Sequence, residues 1–341
     1  MAAIDRTLFL GNATQHRWSN ATVAVPRMLG KIALEEHVGT TVWAKHGITP
    51  PANEIAGLGA QPFTGPNGED TLFRLFDIPS RLASMDNAGI SYVIVSIGAP
   101  GIQGISDTAN ATKFATEIND ELYNTYVKSY PSRFGFFATV PMQDPPAAAA
   151  ELECAVTTLG AKGAMINGYT EVLNPDTGSV EIQYLDEARH EPFWAKVASL
   201  NVPIYLHPRA PPVSQQQIYN YANDSRSKYP RPLAVHTLRL MITSKNTHPL
   251  RYYLRTNILA TLSGVRRLST LRCTLDEMGE DKVMWSLDYP FQSDQDAADW
   301  FDGVEGVSVE AKKKIGWGNA RRVLGIGEVG DGGWVDGEDF L

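Results

Sequence analysis

The run Ala33-Leu34-Glu35-Glu36-His37-Val38 places two carboxylates and an imidazole at the end of an apolar stretch that begins near Lys31. Side chains of an extended strand alternate faces, so Glu35 and His37 point the same way and Glu36 points to the other side. A carboxylate and an imidazole sharing one face can hold a divalent ion together. Two later apolar runs end in further ligand types, His207 in "YLHP" and Asp288 in "SLDYP". The four residues make a mixed nitrogen and oxygen set, suited to zinc first and to manganese or magnesium as alternatives. A Glu-x-His pair alone is more often a salt-bridged strand end; the metal reading rests on the convergence of all three runs. An ion held there would act as a Lewis acid and template, or would activate water.

The other polar candidates are weaker. Asn167 follows the run "GAMI", where an amide either orients a substrate or bonds local backbone. His236 lies on an apolar helical pattern and reads as a packing residue, while His16, His46 and His190 fall in a leader, a loop and the start of a helix. His248 precedes Pro249 in a connecting segment, a poor position for a catalytic base.

The elements that must position these side chains are strand-like runs alternating with helical patterns. The runs are "KIALEEH", "YVIVSIGA", "FGFFATVP", "GAMINGY", "VPIYLHP", "NILATLSG" and "VMWSLDYP". Between them "SRLASMDNAGI", "ATKFATEINDELYNTYVKSY", "PAAAAELECAVTTLG" and "EPFWAKVASL" carry apolar residues at three- and four-residue spacing. This alternation predicts parallel β/α construction with strands buried on both faces. Glu35, His37, Asn167, His207, Arg209 and Asp288 all fall where runs end, which favours a barrel with chemistry at the carboxyl ends of its strands. A doubly wound sheet is the alternative, but no Gly-rich phosphate loop follows the first run. A polar leader over 1–27, one large domain over 28–325 and an acidic, Gly-rich tail over 326–341, expected to be disordered, complete the organisation. Residues 44–70, rich in Gly and Pro, read as a long loop over one end.

Composition narrows the partners. The chain has 341 residues, 43% hydrophobic and 20% charged, with a formal net charge of -8 and no basic cluster. Nucleic acid and membrane surfaces are therefore not expected partners, because either needs concentrated Lys and Arg. A small molecule is. Cys154 and Cys273 are far apart and suggest neither a disulfide framework nor a thiolate metal site, which fits a reducing cytosol. No segment approaches the length of a signal-peptide core or a membrane span, and the Asn-Ala-Thr sequons at Asn12 and Asn20 read as chance matches.

Taken in order, "GKIALEEH", "RLASMDNAGISYVIVSIGAP", "PSRFGFFATVPMQDPPAAAAEL", "GAMINGY", "PFWAKVASLNVPIYLHPR", "AVHTLRLM" and "SLDYPF" resemble the amidohydrolase-related decarboxylases. That family includes γ-resorcylate, 2,3-dihydroxybenzoate and aminocarboxymuconate-semialdehyde decarboxylases. The resemblance spans about residues 28 to 325. It implies a metal-bearing TIM-type (β/α)8 barrel with Glu35, His37, His207 and Asp288 as ligands, and Phe291 at a ring-contact position. It further implies non-oxidative loss of carbon dioxide from an ortho-hydroxy aromatic acid, dihydroxybenzoate- or orsellinate-like, with Asp288 protonating the ring carbon. Dimers or tetramers are the implied assemblies.

One segment departs from the pattern. In the family, a sixth strand ending in Gly-His-x-Gly-Glu supplies a His and a Glu that assist catalysis. Here "TSKNTHPLRYYLRTNILATLSG" passes from His248-Pro249 almost directly into the run that stands for the family's seventh strand, and no His-x-Gly-Glu occurs downstream. The expectation is a barrel lacking most of its sixth β/α unit, roughly thirty to forty residues by the size of a barrel repeat. The ligand set survives that loss because it lies on strands one, five and eight. Two alternatives stay open: a metal-dependent hydrolase of a small ester, lactone or amide, and a catalytically impaired homologue.

Overall fold

The computed structural model describes residues 26–46, 65–212, 214–215, 248, 250–264, 266–328 and 334–335. It begins with β1 (Arg27–Met28), β2 (Lys31–Val38), α1 (Thr41–His46), α2 (Gly65–Phe76), α3 (Ile78–Asn87) and β3 (Ile90–Ile97). Next come α4 (Thr108–Leu122), β4 (Phe134–Phe136), α5 (Pro145–Thr157) and β5 (Ala164–Asn167). A hairpin of β6 (Thr170–Leu173) and β7 (Val180–Gln183) precedes α6 (Glu191–Leu200) and β8 (Ile204–His207). The remainder is α7 (Leu250–Thr256), β9 (Ala260–Thr261), α8 (Leu268–Met278), β10 (Val283–Met284), α9 (Asp294–Gly303), α10 (Val309–Lys313), α11 (Asn319–Leu324) and β11 (Trp334–Val335).

Each of the seven apolar runs contains a strand, and these strands pair in parallel. Strand β2 pairs with β3 and β3 with β4, β5 pairs with β8, and β9 pairs with β10. Two single parallel bridges join the groups, Glu36 to Tyr289 and Ala138 to Ala164. The resulting order is β9, β10, β2, β3, β4, β5, β8, an arc with β2 in its interior. All eight residues of β2 are buried, as expected for a parallel strand covered on both faces. Among the described residues no backbone pairing joins β8 to β9, the two ends of the arc.

The helices begin where the sequence supplies caps. Asp77, Asp107 and Asp144 accept from the amides of Ser80 (2.9 Å), Asn110 (2.8 Å) and Ala147 (3.1 Å), which satisfies first-turn donors of α3, α4 and α5. Helix α4 turns Ala111, Phe114, Ala115, Ile118 and Leu122 inward, and α5 turns Ala148, Leu152 and Ala155 inward, into one core with Val93, Val95, Phe134 and Phe136. A second cluster gathers Ile32, Leu34, Ile94, Phe137, Met165 and Met284, with Tyr205 packed against it. The periodic spacing read from the sequence thus becomes burial.

Two expectations need correction. The loop assigned to 44–70 is shortened at both ends, since α1 runs to His46 and α2 starts at Gly65; residues 47–64 lie outside the described residues. Helix α2 forms despite its Gly-Pro start because Leu75 is buried and the Phe76 ring lies 6.1 Å from that of Trp43. His46 accordingly closes a helix, its ring stacked on Phe114 at 4.2 Å. In the acidic tail, Trp334 and Val335, both strong strand formers, pair antiparallel with Met28 and Arg27. The leader before Pro26, His16, His236 and most of the tail lie outside the described residues.

A buried ion pair anchors the start of β2. The Lys31 ammonium lies 3.0 Å from both Asp302 oxygens, with both side chains fully buried. Arg27 and the Met28 amide approach the same carboxylate at 3.2 Å. Burial pulls Lys31 down to about 8 although Asp302 opposes it. Removing one member of such a pair leaves an uncompensated charge, so Asp302→Ala is expected to destabilise the fold by roughly 3–5 kcal/mol. Urea denaturation of the variant beside the parent chain measures this, and a loss below about 1 kcal/mol would refute the role given to the pair.

Candidate metal centre

Strand β2 supplies Glu35 and His37, β8 supplies His207 at its last position, and the chain leaving β10 supplies Asp288. Between Ala33 and Glu36 the register of β2 against β3 shifts. There the Leu34 and Glu35 amides both donate to Ser286 Oγ, at 3.2 and 2.7 Å, and such an irregularity re-aims the side chains beyond it. The Asp288 amide donates to Glu35 O at 2.9 Å, and the His37 amide donates to Tyr289 O at 2.8 Å. The segment carrying Asp288 is therefore fastened to β2 on both sides of Glu36.

Asp288 itself has φ of 83°, in the region that side-chain-bearing residues rarely occupy. A position of this kind costs on the order of 1–3 kcal/mol and persists only where its surroundings enforce it. Here the two bonds to β2 enforce it, together with the Phe291 and Gln292 amides, which donate to Asp288 O at 2.9 and 3.0 Å.

The four side chains converge. His37 Nε2 lies 3.1 Å from His207 Nε2 and 3.3 Å from Asp288 Oδ1, and His207 Nε2 lies 3.5 Å from Glu35 Oε1. One ligand atom from each fits within 4.8 Å of the others. Glu35 and His37 are buried and His207 and Asp288 are partly buried. Burial works to raise the Glu35 carboxyl, but the His207 imidazole, His37 and the Tyr205 hydroxyl outweigh it and hold the group at about 2. For His207 burial acts downward, and the bond and charge of Glu35 more than reverse it.

The residues fit a divalent ion. Two imidazole nitrogens and two carboxylate oxygens gather within 4.8 Å of one another, a mixed nitrogen and oxygen donor set of the kind that binds a divalent cation.

Glu36 points away from this cluster, as strand alternation predicts. Burial, and next the charge of Asp294, push its carboxyl well up, against the pull of Arg81. The Arg81 guanidinium, from α3, lies 3.9 Å from Glu36 Oε2, 4.1 Å over the Tyr289 ring, and donates to His37 O. Arg81 thus grips the backbone of a candidate ligand from the far face of β2. It stands among apolar residues of a surface helix, and nothing in the sequence marks it.

Asn167 ends β5 directly opposite His207. It is buried, its Oδ1 has no partner, and Gly101 passes so close that a Cβ there would meet Asn167 Nδ2 at 2.5 Å. The Phe291 ring is 37% exposed and 5.8 Å from the His37 ring, so it borders the cluster rather than filling the core. Arg209 is spoken for: it pairs with Glu171 and stacks on Tyr169 at 4.0 Å. His190 is buried at the start of α6, and His248 is exposed with its ring 4.2 Å from that of Tyr252; neither joins the cluster.

Tyr205 was missed. Its hydroxyl contacts Glu35 Oε2 and lies 2.9 Å from Thr261 Oγ1. Burial, and next the Glu35 charge, push its pKa well up and keep it a donor. The signal was present in "IYLH", where alternation puts Tyr205 on the same face as His207.

Among the described residues no helix is long and apolar enough to cross a membrane. Cys154 and Cys273 are both exposed and unpaired.

The profile of a family described as amidohydrolase matches residues 40–326. A γ-resorcylate decarboxylase from Polaromonas sp. strain JS666 is 34% identical, the match covering 87% of this chain and 99% of that protein. A crystal structure of a dihydroxybenzoic acid decarboxylase from the same organism, with bound manganese and the inhibitor 2-nitroresorcinol, superposes with a TM-score of 0.74. It is 33% identical and covers 87% of this chain and 97% of its own. A 2,6-dihydroxybenzoate decarboxylase in complex with 2,6-dihydroxybenzoate also gives 0.74, at 31% identity, covering 88% of this chain and all of its own. With its strands in parallel order, its polar cluster at their ends and a family match across most of its length, the chain belongs to the amidohydrolase family.

Proposed function

We propose that the chain is a metal-dependent, non-oxidative decarboxylase of an ortho-hydroxy aromatic acid, dihydroxybenzoate- or orsellinate-like, which releases carbon dioxide and a phenol. The observation that carries this is the convergence of Glu35, His37, His207 and Asp288 within 4.8 Å, in a chain whose relatives of like length are named for that chemistry. We assign those four as the ligands, Asp288 also as the proton donor, and Asn167 and Phe291 to the substrate. When bound, the ion supplies a positive charge that neutralises the substrate carboxylate and the phenolic oxygen beside it.

The rest is the work of side chains. Phe291, exposed at the rim and close to His37, gives the aromatic ring a face to pack on. Asn167, with an unpartnered buried Oδ1, accepts a substrate hydroxyl and fixes the ring in its plane. Asp288 transfers a proton to the ring carbon that bears the carboxylate. The bond to the carboxylate then breaks, its electrons restore the aromatic ring, and carbon dioxide leaves.

For the ion, the manganese of the neighbouring structure supports manganese over the zinc suggested by ligand types alone; affinity order is a weak guide, because the geometry and metal supply decide selectivity. For the fold, the arc from β9 to β8 supports a (β/α) barrel whose gap falls where a sixth strand would stand. The alignment with the γ-resorcylate decarboxylase supports residues missing relative to that protein: its 342 positions exceed the 87% of this chain that it takes in. The reading extends to a homodimer or homotetramer, and to a reducing cytosol, supported by the unpaired cysteines.

The test is metal content and carbon dioxide release measured on one purified sample against a panel of 2-hydroxybenzoic acids. About one ion per chain with release from at least one acid is expected. Bound metal with no release, but hydrolysis of an aryl ester or lactone, would replace this reading with the hydrolase. Bound metal with neither activity would point to an impaired homologue.

A further inference from the structure

We infer that Thr261 and Tyr205 form a two-hydroxyl relay that holds Glu35 to a single ligating oxygen and ties the two ends of the strand arc together at the metal centre. The inference rests on the metal-site reading given above and names residues that reading does not use.

The direction of the relay follows from what each group can do. A carboxylate only accepts, so the contact between Tyr205 and Glu35 Oε2 requires the phenol to donate its one proton there. The phenolic oxygen is then free to accept, and Thr261 Oγ1, 2.9 Å away, donates to it. Thr261 O–H to Tyr205 O–H to Glu35 Oε2 is a continuous chain in which each hydroxyl is polarised by the next.

The consequence lies in how the carboxylate is divided. Oε2 is occupied by the phenol, while Oε1 faces His207 Nε2 at 3.5 Å. Glu35 therefore offers one oxygen to an ion and is prevented from chelating with both. A carboxylate that rotates freely binds an ion in several ways; one fixed by a hydrogen-bonded partner binds in one. Leaving the second oxygen out also leaves coordination positions for substrate oxygens, which the proposed reaction needs.

The relay has a topological side as well. Tyr205 belongs to β8 and Thr261 to β9, the two arc ends that no backbone pairing joins among the described residues. Glu35 comes from β2, in the middle of the arc. Three strands distant in sequence thus meet through two hydroxyls and a carboxylate, and the metal centre is coupled to closure of the arc.

The experiment uses the full-length chain, stripped with a chelator and titrated with Mn2+, comparing the parent with Tyr205→Phe, Thr261→Val, Thr261→Ser and Glu35→Ala. Tyr205→Phe is expected to weaken Mn2+ binding about 10- to 100-fold, the usual loss when a ligand's orienting partner is removed. It should also change the electron paramagnetic resonance line shape of the bound ion. Thr261→Val should weaken binding less, and Thr261→Ser, which keeps the hydroxyl, should bind as the parent does; this serine rescue separates a hydrogen-bonding role from simple packing. Should Tyr205→Phe fail to fold, the Val and Ser pair at Thr261 decides alone. Parent-like Mn2+ affinity in Thr261→Val, or in a folded Tyr205→Phe, while Glu35→Ala loses the ion, would overturn the relay and leave the metal site standing. Parent-like affinity in Glu35→Ala would overturn both.

Discussion

Glu35→Ala and His207→Ala are expected to lose the divalent ion. Each substitution removes one of the four proposed ligand groups, which meet within 4.8 Å. Loss of a partner that merely orients a ligand costs 10- to 100-fold in affinity, so loss of a ligand itself should cost at least about a thousandfold by the same scale. After gel filtration the parent should retain about one ion and both variants almost none, read by elemental analysis. Turnover should fall with it, because an ion acting as Lewis acid contributes several kcal/mol to the transition state, on the order of a thousandfold or more in rate. Both variants retaining a full complement of metal would mean that the cluster is an ion-pair network and nothing more.

Asp288→Asn separates ligation from proton transfer. Asparagine keeps the shape and one ligating oxygen, and it is among the few residues that tolerate a positive φ, so the backbone at 83° should persist. What it lacks is a transferable proton. At saturating Mn2+, where the ion is bound in both proteins, the rate of carbon dioxide release should drop about 10²- to 10⁴-fold, the range assigned to general acid catalysis. A variant that released carbon dioxide at the parent rate would remove Asp288 from the chemistry and leave it only as a ligand. With Asp288 as the proposed donor and no His-x-Gly-Glu segment in the sequence, the loss is expected near the upper end of the range.

Much of this site was legible from a single periodicity. Alternation along "ALEEH" separates Glu35 and His37 from Glu36, and the structure places the first two in the cluster and the third on the Arg81 side. The same rule applied to "IYLH" would have given Tyr205. Side chains that act across elements were not legible: Arg81 reaches His37 O from a helix 44 positions away, and no local pattern encodes such a distance. Nor was the register shift at Ala33–Glu36 readable, since it depends on Ser286 Oγ, more than 250 positions downstream. Helix α2 was hidden by glycine and proline at its start, residues that argue for a loop until an apolar face finds something to cover. The parallel strands came from the runs, but which of them would stand unpaired at the ends of the arc, among the described residues, is a property of the whole sheet.

The backbone at Asp288 has a consequence for how this chain can change over generations. Only glycine adopts that conformation without cost, so selection for folding alone would pull position 288 toward glycine. With the role proposed for Asp288, a carboxylate kept there against that pull is held by selection for chemistry. In a lineage that abandoned the reaction, this is where decay would begin, and the first substitution would improve the fold while ending the function.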